Sequence, residues 1–229
     1  MLDPILDSGI NFGVETLLLL PILVALEAVL SADNAIALAA IARGLPDPQT
    51  QRQALNFGLV AAFILRIGLI LTATWVIQYW QVELAGAAYL LWLAFQYFFS
   101  QETEEEDSSA HHHRFMSLWQ AIPIIAVTDL AFSLDSVTTA IAISDETWLI
   151  LTGATIGIIT LRFLAGLFIR WLQEYVHLED AGYLAVALVG LRLLLRVVAP
   201  AVVPPDWGMV LLIAFLFMWG FSLRSDRVS

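Results

Sequence analysis

The feature that most limits what this chain can become is a set of apolar runs too long and too continuous for a fold that faces water. Seven can be read, at about residues 14–42, 56–78, 83–100, 118–144, 147–171, 181–199 and 207–223. A run of roughly 20 apolar residues crosses the hydrocarbon of a bilayer as a helix. In lipid a helix satisfies its backbone N–H and C=O groups internally. Composition agrees: 60% of residues are hydrophobic and 14% charged, against about 25% charged in soluble domains. The expectation is an all-α, polytopic membrane protein with seven transmembrane helices in one domain. A soluble enzyme and a nucleic-acid-binding chain are excluded.

Further classes fall to residue usage. The net charge is −11 and all ten basic residues are arginine, so no basic stripe offers itself to nucleic acid. There is no cysteine, which removes disulfides, thiolate metal sites and cysteine nucleophiles. His111, His112, His113 and His177 all fall in candidate loops, so neither a Ser-His-Asp site nor a histidine-ligated zinc is expected within the bilayer. The N-terminus, MLDPILDSGINFGVE, is acidic and does not read as a secretory signal.

If the seven spans alternate in direction, Arg43, Arg52, Arg114, Arg170, Arg224 and Arg227 fall on one side. The other side has only Arg196, near the end of span six. The positive-inside rule then puts the N-terminus outside and the C-terminus in the cytoplasm. The longest connection, QETEEEDSSAHHHRF at about residues 101–117, reads as a cytoplasmic loop. The VVAPAVVPPDW segment separates span six from span seven, because prolines cannot continue a helix.

The chain repeats internally. Span one carries Glu27-Ala-Val-Leu-Ser31-Ala-Asp33-Asn34, and span four carries Asp129-Leu-Ala-Phe-Ser133-Leu-Asp135-Ser136. The next span of each half carries one arginine, Arg66 and Arg162, and spans three and six open on AGAAYLL and AGYLAV. The unit is three helices, at about 14–100 and about 118–199, with an extra helix at about 207–223. Three is odd, so the halves must insert with opposite orientation. Inverted repeats of this kind build many secondary transporters, with the substrate site near the midplane.

Glu27, Asp33, Asn34, Asp129, Asp135 and Ser136 form the candidate metal site, with Ser31, Ser133, Arg66 and Arg162 as supporting polar groups. A charge at the centre of a span costs about 2.5–3.5 kcal/mol on insertion scales, so these residues are expected to face inward and pair. The four carboxylates outnumber the two arginines, leaving an excess of two negative charges. One divalent cation or two protons would neutralise it. Carboxylate, amide and hydroxyl oxygens are hard donors suited to Mg, Ca or Mn. At about 100° per residue, Asp129, Ser133 and Ser136 share one stripe while Asp135 sits about 100° off it. Either Asp33 and Asp135 reach a second inward surface, or their helices open locally. His111, His112 and His113, beside the acidic run, could capture metal at the cytoplasmic mouth or belong to a solvated linker.

EAVLSADNAIALAAI and DLAFSLDSVTTAIAI resemble the paired signatures of the TerC family of integral membrane proteins. That family is grouped with LysE-type exporters. Its Alx-like members are implicated in manganese export, while its name reflects tellurium resistance. The resemblance implies that Glu27, Asp33, Asn34, Asp129, Asp135 and Ser136 form the ion site. The expected function is export of a divalent metal, Mn(II) above all, by proton antiport through midplane carboxylates. Mn(II) is then cargo, with no tightly bound cofactor and no enzymatic activity. The alternative is a membrane-assembly factor that aids insertion or metallation of other proteins. The implied location is a bacterial inner or thylakoid-type membrane, with metal ion and lipid as partners.

Overall fold

A computed structural model describes residues 21, 31, 34–76, 78–104, 117–143 and 146–224. Glu27, Asp33 and the His111, His112 and His113 tract lie outside them. Seven α-helices follow in chain order: α1 (Asn34–Arg43), α2 (Pro48–Val76), α3 (Trp80–Glu104), α4 (Leu118–Ile143), α5 (Thr147–Glu174), α6 (Leu178–Val198) and α7 (Asp206–Gly220). Five of them, α2 to α6, are long and apolar enough to cross a membrane. Among the described residues there is no strand, and the β-bridge between Tyr175 and Arg224 is isolated.

Local chemistry sets the ends. Helix α2 starts eight residues before its apolar run because Asp47 caps it. The Thr50 N–H donates to Asp47 Oδ1 at 2.8 Å, and Pro48 occupies the first helical position, where a missing N–H does no harm. This cap draws Arg52 into the helix. At the far end of the chain α6 stops at Val198, a 3-10 turn covers Pro200–Val202, and Pro205 leads into α7. The prolines therefore separate the last two helices as expected.

Apolar contact alone does not drive helices together in lipid, so close backbone approach matters more. Helix α2 lies against α4 and α5, α3 against α6 and α4, and α7 against α6. Glycines mark the contacts. A Cβ added at Gly58 of α2 would fall 2.6 Å from Ile125 Cγ2 of α4, and one at Gly86 of α3 would fall 2.6 Å from Leu134 Cδ1. Gly182 of α6 meets Ile36 of α1 in the same way, at 3.1 Å.

Residue pairs fix the directions. Gly58 meets Ile125 and Arg66 meets Asp129, so α2 and α4 run the same way. Tyr97 meets Asp180, and Glu83 meets Arg196, so α3 and α6 run oppositely. Helices α2 and α5 are also antiparallel, with Asn56 beside Arg162 and Arg52 sharing a groove with Arg170. One end of the bundle thus gathers Arg43, Arg52, Arg170 and Arg224. It is laced by an Arg43–Glu179 ion pair at 2.5 Å, a Tyr97 hydroxyl donating to Asp180 at 2.8 Å, and Arg224–Glu174 at 3.2 Å.

Candidate functional site

The second repeated motif lies on α4, which continues unbroken through it. Asp129 is about 16 Å from the first residue of α4, at about 1.5 Å per residue. That is near the middle of a hydrocarbon core about 30 Å thick. Its carboxylate is 0% exposed and faces Arg66 of α2, itself 1% exposed. One guanidinium nitrogen, Nη2, donates to both carboxylate oxygens at 3.2 Å. The Ser133 hydroxyl, one turn on, donates to the Asp129 carbonyl at 2.7 Å and lies 3.5 Å from Asp129 Oδ2. Ser136 donates to the Ser133 carbonyl at 3.4 Å. The Tyr89 hydroxyl of α3 bonds Thr128 at 2.8 Å, closing the third side.

Asp135 points elsewhere. Its Oδ2 takes a hydrogen bond from Arg192 Nη1 at 2.5 Å, and its Oδ1 takes one from Arg196 Nη2, both from α6. Of the two alternatives left by the helical wheel, the second inward surface is the one Asp135 uses. Arg196 also comes within 3.8 Å of Glu83 at the start of α3. Two ion clusters therefore lie along α4, one at the buried centre with Arg66 and Asp129 and one nearer the arginine-poor end with Asp135, Arg192, Arg196 and Glu83.

The remaining expected residues fall as follows. Asn34 is buried at the start of α1 and makes a polar contact, and Ser31 is buried beside it in sequence. Glu27, Asp33, His111, His112 and His113 lie outside the described residues. Arg162 does not join the cluster. Its Nε donates to Asn56 of α2 at 2.5 Å, on a face where the neighbouring Phe163 is 75% exposed. The similar settings of Arg66 and Arg162 in sequence concealed opposite faces.

Three charged members of the network went unread: Arg192, Arg196 and Glu83. The signal for the arginines was present. LRLLLR places two of them four residues apart, on one stripe of an otherwise apolar span. Among the described residues no three carboxylates or imidazoles converge as a preformed metal cage. The described carboxylates of the network, Asp129, Asp135 and Glu83, are matched in number by Arg66, Arg192 and Arg196.

A family model described as the integral membrane protein TerC family matches residues 12–227. The chain belongs to the TerC family. Among its relatives is the uncharacterized membrane protein YceF of Bacillus subtilis, 33% identical over 84% of this chain and 75% of YceF. The chain is also 29% identical to the uncharacterized membrane protein YkoY of the same organism, over 78% of this chain but 60% of YkoY. The thylakoid membrane protein TERC of Arabidopsis thaliana is 25% identical over 74% of this chain and 52% of its own length. No solved structure matches. As a TerC-family member the chain is an integral membrane protein, in keeping with its five long apolar helices.

Proposed function

We propose that this TerC-family protein is a secondary transporter that exports a divalent cation, Mn(II) first among the candidates, in exchange for protons. The observation that carries the reading is the placement of Asp129 and Asp135. They are buried on two faces of one helix, and each is held by arginine from a different neighbour. Buried charge this concentrated is costly in lipid and marks ion pathways more often than scaffolding.

Charge accounting adds support. The described acids and arginines of the network balance, and in this reading Glu27 and Asp33 of the first motif add the excess of two negative charges. A divalent cation or two protons satisfies the same excess, which is the competition an antiporter needs. The donors are oxygens throughout, in keeping with a hard cation. A cation that reaches Asp135 competes with two guanidiniums. Arg196, whose side chain is 22% exposed against 7% for Arg192, is the freer of the two to swing away.

The proposed architecture is an inverted repeat. Each helix of the first half has its counterpart three helices on. The counterpart pairs α2 with α5 and α3 with α6 are antiparallel neighbours. Gly86 packs beside the second motif on α4 while Gly182 packs on α1 just past the first. The proposed orientation keeps the arginine-rich end in the cytoplasm.

The test is transport by purified protein in proteoliposomes, comparing Mn, Mg, Ca and Zn with and without a pH gradient. Mn(II) flux driven by an inward proton gradient is expected, and Asp135→Asn should abolish it without loss of folded protein. Absence of metal flux under any gradient would favour the assembly-factor alternative.

A further inference from the structure

Arg162 is the one arginine deep within a span that lies outside the carboxylate network, and its surroundings have a shape of their own. It lines two adjoining cavities between α2 and α5. The first, of about 520 Å³, is lined by Arg52, Arg162 and Arg170 together with Gln51 and Gln173, and by no acidic residue. The second, of about 340 Å³, is walled by apolar side chains such as Val60, Phe63 and Ile159. Arg162 and Phe163 belong to both. Phe163, Val60 and Ile159 are each more than half exposed, so this side of the bundle faces lipid.

The arginine-rich end alone accounts for Arg52 and Arg170, each within about 6 Å of its helix end at about 1.5 Å per residue. It does not account for Arg162, about 18 Å from the end of α5 on the same measure. Its guanidinium is directed toward that end. A Cβ added at Gly166, one turn along, would lie 3.2 Å from Arg162 Nη1. The bare backbone at Gly166 thus gives the side chain a path by which to snorkel toward the headgroup level. Three guanidiniums converge there, and among the described residues none has a carboxylate partner.

We infer that this paired groove binds an anionic phospholipid. The phosphodiester sits among Arg52, Arg162 and Arg170, and one acyl chain lies along the apolar cavity beside Val60, Phe63 and Ile159. Guanidinium groups take phosphate oxygens in bidentate pairs, more strongly than they take neutral acceptors. A zwitterionic headgroup would bring an ammonium into a groove that is already wholly cationic, so a net negative lipid is preferred. The adjoining apolar cavity explains why the ligand is a lipid rather than a soluble anion.

The experiment uses the full chain in detergent micelles with phosphatidylglycerol, phosphatidylcholine or inorganic phosphate added. Retained lipid is read by native mass spectrometry and thermal protection by melting. Phosphatidylglycerol is expected to be retained about tenfold over phosphatidylcholine, the scale of one or two arginines acting on an anionic headgroup. Arg162→Gln should remove most of that preference while melting normally without lipid. Gly166→Leu keeps all three charges but blocks the path of the guanidinium, so it should weaken retention as well, and it serves alone if Arg162→Gln fails to fold. Equal retention of the two lipids, or a preference untouched by both variants, would overturn the proposal. Protection by inorganic phosphate equal to that by phosphatidylglycerol would overturn the lipid assignment in favour of a free anion.

Discussion

Arg66→Met tests whether burial, rather than distance, governs the central ion pair. Arg66–Asp129 and Arg224–Glu174 both close at 3.2 Å, yet their side chains are 1% and 0% exposed in the first pair and 66% and 37% in the second. Exposed pairs are screened and contribute about 0–1 kcal/mol. Removing one partner of a buried pair strands the other charge at a cost of about 3–5 kcal/mol. After Arg66→Met the described contacts of Asp129 reduce to the Ser133 hydroxyl, 3.5 Å away. The variant should therefore lose about 3–5 kcal/mol, and Arg224→Met less than about 1 kcal/mol. Adding Asp129→Asn to Arg66→Met should recover at least half of the loss, because the Asp129 charge is then no longer stranded. The measurement is equilibrium unfolding in mixed micelles of rising SDS fraction, followed by the fluorescence of the eight tryptophans. A cost for Arg66→Met equal to that for Arg224→Met, or strictly additive effects in the double variant, would refute the reasoning.

Three further outcomes follow from the same structure. Gly58→Val pushes side-chain atoms into Ile125, where even a Cβ would stand at 2.6 Å, and should destabilise the α2–α4 contact by about 1–3 kcal/mol; an unchanged unfolding midpoint would mean the two helices separate freely. The Thr50 hydroxyl and N–H hold the Asp47 carboxyl below its ordinary range, so the stabilising effect of the cap is present above about pH 4 and is lost as pH falls through the depressed value. The melting gap between wild type and Asp47→Ala should shrink on acidification, and a constant gap from about pH 7 to about pH 3 would exclude a charge-dependent cap. The native chain has no cysteine, so Gly44→Cys and Gln78→Cys report orientation directly: the first should label from the cytoplasmic side and the second from outside, and the reverse pattern would invert the proposed topology.

The all-helical membrane character was legible because lipid reduces the choices. Once the runs exceed a bilayer's thickness, helices and short turns are what remain. The prolines after Val198 and the glycines at close contacts behave in the fold as their chemistry suggests. The start of α2 was less legible, since apolarity marks the hydrocarbon and not the helix. Residues Gln49–Gln53 are polar yet helical, and the signal that marks them, Asp47 followed by Pro48, is a capping pattern that apolarity does not register.

The site was legible where helical geometry decides and obscure where facing decides. Asp129 and Asp135 lie six residues apart, and because the helix runs unbroken through them that spacing requires two surfaces, which α2 and α6 supply. Arg66 and Arg162 are the contrary case. In water, a helix declares its buried face by polar residues on the other side. In lipid both faces are apolar, so the sequence around an arginine does not say whether it looks into the bundle or out of it. What separates the two is the partner. Arg66 finds a carboxylate on the adjacent α4, whereas among the described residues Arg162 finds the neutral Asn56 and two other arginines. An arginine with a carboxylate facing it is held inside the bundle. One without a carboxylate must turn to water or to a phosphate, and the Arg162 side chain runs past Gly166 toward the end of the bundle where Arg52 and Arg170 stand. The two arginines thus belong to different chemistries of the same membrane, one facing the ion network and the other facing the lipid.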